Sequence, residues 1–249
     1  MATAMSGFGK VKAFIDLTSE EVPVAGTVQS PIILGGGFKL IGEGNNADDG
    51  LVLQDALNGI GRLTTTDEDT EGMSIATNIC FDVAKMGTLV MEARVALPAL
   101  TARSVYVGFG GVAGDVLIQV VTGATSTITY GTEGANICGF LFDSQLTDTD
   151  WHMVHKGGTL AAATDGTTID SGVAPVANEF DILRVEIDPN GDTRWFINGE
   201  LLQSKALAAS TTVNLAAICG VFATTTTVAD LDVDYVAAEG NRHWGRTNA

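Results

Sequence analysis

The side chains richest in possible chemistry lie between Phe180 and Gln203, in the run FDILRVEIDPNGDTRWFINGELLQ. Glu186 and Asp188 are two carboxylates separated by one residue. Such pairs hydrolyse glycosidic bonds when their carboxyl groups stand about 5–5.5 Å apart. Asp188, Asn190 and Asp192 imitate the opening of a calcium loop, but glycine falls at the fourth position and no bidentate glutamate closes it. The stretch Asn45, Asn46, Asp48, Asp49 is a second calcium candidate of the same kind. His152 and His155 are three residues apart in WHMVH, which on a strand sends them to opposite faces and argues against a shared zinc. Cys80, Cys138 and Cys219 are scattered among apolar neighbours such as Ile79, Phe81, Ile137 and Ile218. That is the pattern of buried thiols, not of a disulfide framework or a nucleophile. GFGGVAG at 108–114 is followed by the strand-like DVLIQVV, whereas a dinucleotide fingerprint needs a helix there. No G-x-S-x-G elbow occurs.

The elements that must hold these groups are strands. Leu183, Val185 and Ile187 alternate with Arg184, Glu186 and Asp188, and after the turn Trp195 and Ile197 alternate with Arg194, Phe196 and Asn198. Pairing apolar with apolar sets Val185 opposite Trp195 and Glu186 opposite Arg194, a favourable cross-strand ion pair. Pro189, Asn190 and Gly191 are then a three-residue loop, with Gly191 suited to the left-handed position. Further strands are expected at 88–97, 104–110, 115–121, 135–142, 151–155, 215–222 and 229–236. In the first, Leu89, Met91, Ala93, Val95 and Leu97 face the core, and Pro98 ends it. Asp230, Asp232 and Asp234 share one strand face, with Arg184 and Arg194 as their expected counter-charges if those strands are adjacent.

With 249 residues the chain can bury a sizeable core. Its 30 glycines, low charge content and lack of helical periodicity point to an all-β protein. A net charge of −17 excludes wrapping of nucleic acid, which needs clustered Lys and Arg. No signal-peptide pattern and no membrane-length apolar run occur, so a soluble protein folded in a reducing cytoplasm is expected. Residues 1–35 read as an extended arm, 36–238 as the β domain and 239–249 as a tail. Phe8, Lys10, Lys12 and Phe14 at one end and Arg242, His243, Trp244 and Arg246 at the other have the basic and aromatic character of contact anchors.

The hairpin with its WFING turn, followed by DLDVDYV, resembles concanavalin A-like (laminin G-like) jelly rolls; MEARVALP at 91–98 and VGFGG at 107–111 resemble their early strands. The resemblance covers roughly residues 70–238 and implies an all-β jelly-roll sandwich with extended terminal arms. Related hydrolases carry E-x-D-x-x-E on one strand; here Gly191 stands where the second glutamate would be, so catalytic residues, like cofactors, are expected to be absent. A degenerate glycosidase would require activity lost on Glu186→Gln. The acidic, Thr/Ala/Gly-rich style resembles tailed-bacteriophage structural proteins. It implies a non-enzymatic virion protein, foremost a capsid decoration or cement protein binding a major capsid protein, self-associating as a homotrimer and located in the virion. The alternative is a carbohydrate- or receptor-binding module of a tail fibre or spike, using Trp151, Trp195, Tyr106 or Tyr130 on a surface glycan.

Overall fold

Strands with one wet face alternate apolar and polar residues, whereas strands covered on both faces read as continuous apolar runs. This chain contains both kinds, in two different sheets. A computed structural model describes residues 9–18, 31–42, 50–54, 56, 59–69, 71–111, 119 and 121–241. Among them, two eight-stranded antiparallel sheets pack face to face as a jelly-roll sandwich.

The first sheet runs β16 (Glu200–Lys205), β15 (Thr193–Ile197), β14 (Phe180–Ile187), β8 (Leu89–Ala96), β18 (Asp230–Asn241), β5 (Ile60–Thr64), β4 (Gly50–Gln54), with β1 (Lys10–Asp16) also on β18. The second runs β13 (His152–Lys156), β12 (Ile137–Asp143), β9 (Arg103–Gly110), β17 (Asn214–Ala223), β6 (Gly72–Thr77), β3 (Phe38–Gly42), β2 (Ile32–Gly35), with β7 (Phe81–Asp82) on β17. A separate hairpin joins β10 (Val121–Ala124) to β11 (Thr127–Tyr130).

The hairpin β14–β15 has the expected register: Val185 opposes Trp195 and Glu186 opposes Arg194. The Asp188 amide donates to the Asp192 carbonyl (2.8 Å), and Gly191 takes φ +87°. A positive φ there is strained for any residue with a Cβ. Strand β8 likewise buries Leu89, Met91, Ala93 and Val95. The principal core lies between the sheets and is filled by Phe38, Phe81, Phe109, Phe140, Trp151, Trp195 and aliphatic side chains.

A second core lies on the outer face of the second sheet. There Tyr106, Leu141, Val154, Ile218 and Phe222 are covered by Val121, Ile128, Leu146 and Ile169 from the β10–β11 hairpin and the loops beside it. Strands β9, β12 and β17 are buried along almost their whole length for this reason. Gly108 opposes Gly139 in the ladder, and a Cβ on Gly108 would come within 2.4 Å of the Gly139 Cα. The two glycines let the Tyr106 ring lie close across the sheet, its hydroxyl donating to the Phe109 carbonyl (2.7 Å). Buried Asp143 ties the cover down by accepting from the amides of Gly123 (2.8 Å) and Gln145 (2.9 Å); burial raises its pKa.

Several expectations change. Within the stretch read as an N-terminal arm, Lys10–Asp16 is strand β1 of the first sheet and Ile32–Gly35 is strand β2 of the second. The alternation Val11, Ala13, Ile15, Leu17 against Lys10, Lys12, Phe14, Asp16 was the signal for it, because the buried members of that series face the core. Strand β18 continues through Glu239 and Gly240 to Asn241, inside the stretch read as tail. Of the strand expected at 115–121, residues 115–118 and 120 lie outside the described residues. Cys80 is exposed, while Cys138 and Cys219 are buried as expected, and burial pushes both of those thiols up to about 12. No helix of the described residues is long and apolar enough to cross a membrane.

Candidate functional site

Because the second sheet's outer face is covered, the first sheet's outer face is the one that presents an array of polar side chains. The register sets those side chains in rows across the strands. One row reads Phe14, Ala237, Glu92, Arg184, Phe196, on β1, β18, β8, β14 and β15 in turn. At a strand spacing of about 4.8 Å, four steps put the two phenylalanines about 19 Å apart. The neighbouring row reads Lys12, Glu239, Val90, Glu186, Arg194.

A bulge on β18 makes this alignment possible. Val233 opposes Val95 and Tyr235 opposes Arg94, so Asp234 is the extra residue. It shifts the alternation by one, and Tyr235, Ala237 and Glu239 take over the outer face from Asp230 and Asp232.

Small side chains at Ala237, Ala238 and Gly36 leave a groove between Phe14 and the charged middle of the row. Its volume is about 580 Å³, and Lys12, Val90, Glu92, Arg184 and Glu239 complete the walls. Phe14 is 38% exposed and lies 6.3 Å from the Tyr235 ring, centroid to centroid. A second depression of about 360 Å³ adjoins it through Glu92 and Arg184 and reaches Phe196 and Asn198.

The charged groups are held in a network. Glu92 accepts from the Tyr235 hydroxyl (2.8 Å) and faces Arg184 (3.5 Å). Arg184 also donates through Nε to Glu186 (2.9 Å), and its guanidinium lies 5.9 Å from the centre of the Phe196 ring. Arg194 donates to Glu186 (3.1 Å) and grips Asp188 with both terminal nitrogens (2.7 and 3.1 Å). Those bonds hold the Asp188 carboxyl below its ordinary range. Burial, followed by the bond to Glu92, raises the Tyr235 phenol well above its ordinary value, so it is a hydrogen-bonding group and not a base at neutral pH.

The residues singled out from the sequence fall as follows. Lys10 and Lys12 both pair with Glu239 (3.3 and 3.2 Å), and Phe14 borders the groove. Phe8, Arg242, His243, Trp244 and Arg246 lie outside the described residues, as do Asp48 and Asp49. Asp188 and Asp192 do not converge: Asp188 faces Arg194, while Asp192 accepts from Asn190 (2.7 Å) and the Leu207 amide (2.9 Å). Trp151, Trp195 and Tyr106 are fully buried, so none can stack on a ligand. Tyr130 is half-buried, its hydroxyl donating to the Ala163 carbonyl (2.9 Å). Asp232 and Asp234 are countered by Arg62 and Arg94, not by Arg184 and Arg194, because β5 and β8 are the neighbours of β18. His152 and His155 do point to opposite faces, since His152 lies on the outer side with Val154, and His155 packs on Trp195 in the main core. The groove is not legible in the sequence, because it depends on which strands are neighbours and on the β18 bulge.

No family model and no curated protein sequence matches this chain. Solved structures do. A protein of unknown function from Shewanella oneidensis MR-1 aligns over 96% of this chain and 90% of its own, with TM-score 0.57 and 13% identity. A structure described with the endo-acting O-glycanases that prominent members of the human gut microbiota express to initiate mucin breakdown aligns over 92% and 98%, with TM-score 0.58 and 9% identity. Peanut lectin, solved with a nine-residue peptide, aligns over 93% and 97%, with TM-score 0.50 and 12% identity. The fold is that of a lectin-like jelly roll. At these identities the likeness extends to the fold alone, which hosts many activities.

Proposed function

We propose that this protein is a non-catalytic carbohydrate-binding module whose contact surface is the outer face of the first sheet, centred on the groove between Phe14 and Arg184. The observation that carries this reading is the row Phe14, Ala237, Glu92, Arg184, Phe196. It offers an exposed aromatic face beside a small-residue floor and a fixed set of charged hydrogen-bonding groups. Sugars have the same two characters, C–H faces that lie on aromatic rings and hydroxyls that bond to planar polar groups. A groove of this size is within the usual range for small-ligand sites, about 300–1,000 Å³.

Its wall holds two cations, Lys12 and Arg184, and two anions, Glu92 and Glu239, a net charge of zero on a protein of net −17. That balance favours a neutral glycan over a polyanionic one. Arg184 links Glu92 to Glu186, so neither carboxylate stands alone as an acid or nucleophile. The test is a screen on a glycan array, followed by calorimetry with Phe14→Ala, Arg184→Ala and the groove-filling Ala237→Trp. A neutral oligosaccharide should bind, and each variant should weaken it at least about tenfold, roughly 1.4 kcal/mol. Absence of any glycan ligand, or binding that all three variants leave intact, refutes the reading.

Attachment to a virion shell as a decoration protein is a second reading, and one observation favours it. Lys10 pairs with Asn241, so the chain before Gly9 and the chain after Asn241 start from neighbouring positions on one sheet. The basic and aromatic residues of both ends, Phe8, Arg242, His243, Trp244 and Arg246, would then act together on an acidic partner surface. Removing residues 242–249 and measuring retention on the partner particle tests it, and unchanged retention sinks it.

A further inference from the structure

Almost every charged cluster on the first sheet pairs carboxylates with arginine or lysine. On the second sheet one cluster breaks that rule. Asp148 and Asp150, in the loop between β12 and β13, and Asp170, in the excursion between β13 and β14, each bring one carboxylate oxygen within 4.8 Å of the other two. None of the three makes an ion pair with Lys, Arg or His among the described residues. Three like charges at that separation repel strongly unless something neutralises them.

The second observation is His152. It is completely buried, yet neither ring nitrogen makes a hydrogen bond of normal geometry; the same is true of His155 in the main core, but His152 is the one that lies beside carboxylates. Buried polar atoms are nearly always bonded, to protein or to an ordered water or ion, so an unbonded pair marks a missing partner. Its place directs it to the acids. His152 bridges Asp170 in an antiparallel pair, which puts the two side chains on one face. Asp148 and His152 line the same cavity of about 440 Å³, together with Thr125, Ser126, Thr147 and Thr167. Trp151, between Asp150 and His152, points the other way into the main core.

We propose that Asp148, Asp150 and Asp170 bind a divalent cation of the calcium class, with His152 accepting a hydrogen bond from a water on that ion. Three half-buried carboxylates supply hard oxygen donors, the ligand type that calcium takes, and the cavity that Asp148 and His152 border leaves room for waters on that side of the ion. The imidazole fits the outer position, where a polar group orients a metal-bound water. The site ties the β12–β13 loop to the segment that returns toward β14. It lies on the sheet opposite the glycan groove and stands independently of that reading.

The experiment uses the full chain, stripped of metal by chelation. Terbium, a calcium surrogate, should give luminescence sensitised by Trp151, and calcium should displace it. Calcium at a hundredfold excess over Kd should raise Tm by about 5–10 °C. Asp170→Asn and Asp150→Asn should each weaken binding at least about tenfold, while Asp188→Asn, as control, leaves it unchanged. Without metal the two Asn variants should melt no lower than the parent, because they relieve repulsion, and this separates ligand loss from misfolding. Absence of both sensitised emission and a calcium-dependent Tm rise at millimolar metal overturns the proposal. So does unchanged affinity in Asp170→Asn.

Discussion

Trp195 gives a sharp test of how the core and the ligand surface are divided. Its indole is fully buried between the sheets, on β15 of the first, and its Nε1–H donates to the Gly139 carbonyl on β12 of the second (3.0 Å). Trp195→Phe keeps an aromatic ring but removes the donor and part of the volume. Gly139 is paired in the ladder on both sides, so its carbonyl keeps a strand donor and loss of the indole costs about the net worth of one hydrogen bond, about 0.5–1.5 kcal/mol. The space left by the smaller ring adds about 1 kcal/mol more, given about 3–5 for a full Trp→Ala truncation. The expected loss is therefore about 1.5–2.5 kcal/mol, a sizeable share of the roughly 5–15 kcal/mol that a domain possesses. Equilibrium urea unfolding reads it as a lower midpoint at unchanged slope. Glycan affinity, measured where the variant is fully folded, should equal that of the parent. A variant within about 0.5 kcal/mol of the parent that loses glycan binding would show that the indole faces ligand, and the division of faces argued above would fail.

Two further outcomes follow from buried groups. His155 packs on Trp195 with Lys205 nearby, and burial, the larger effect, holds its pKa below the ordinary value. Above pH about 6.5 the ring is neutral in both folded and unfolded chains and contributes nothing. Below it the unfolded chain takes the proton first, so stability should fall toward the folded-state pKa by at most about 1.4 kcal/mol per pH unit for this group; urea midpoints from pH 7 to 5 should decline less steeply in His155→Leu. In the native protein a thiol reagent should modify Cys80 quickly and spare Cys138 and Cys219, with all three reacting in denaturant; prompt native labelling of all three would contradict the packing described.

The hairpin was legible in the sequence because its two arms alternate cleanly and its turn carries Asn-Gly at the right place. Val185 opposite Trp195 follows from that alone. Strand β8 was equally readable, since Leu89 to Val95 has the same period and Pro98 marks its end. Strand β1 has the same alternation but shorter and with alanine in it, and its proximity to the chain end disguised it as an arm. The burial of Tyr106 was not legible. It lies in a segment that reads as a one-sided strand unless the second core is known, and that core is assembled from β10, β11 and loops distant in sequence. The acidic triad was equally hidden, because Asp170 meets Asp148 and Asp150 only through the bridge to His152. The calcium-like spacings in the sequence are at Asp188 and Asp192 and at Asp48 and Asp49; the first imitates a loop, but Arg194 takes the Asp188 carboxylate.

The asymmetry of the two sheets also bears on what kind of binding the groove can do. A surface whose charges are already mutually paired loses little when a neutral polar ligand arrives, because no isolated ion has to be stripped of water. The same pairing fixes the direction of each hydrogen-bonding group, so less order has to be imposed on binding. Those two effects suit weak, geometrically selective recognition of hydroxyl-rich chains. They do not suit acid–base catalysis, which needs a carboxyl kept apart from cations so that its proton remains available near neutral pH. If Arg184→Ala freed Glu92 and Glu186 from their common partner and hydrolysis then appeared, the arginine would be restraining an active site. If the variant only loses affinity, the guanidinium is part of the binding surface itself.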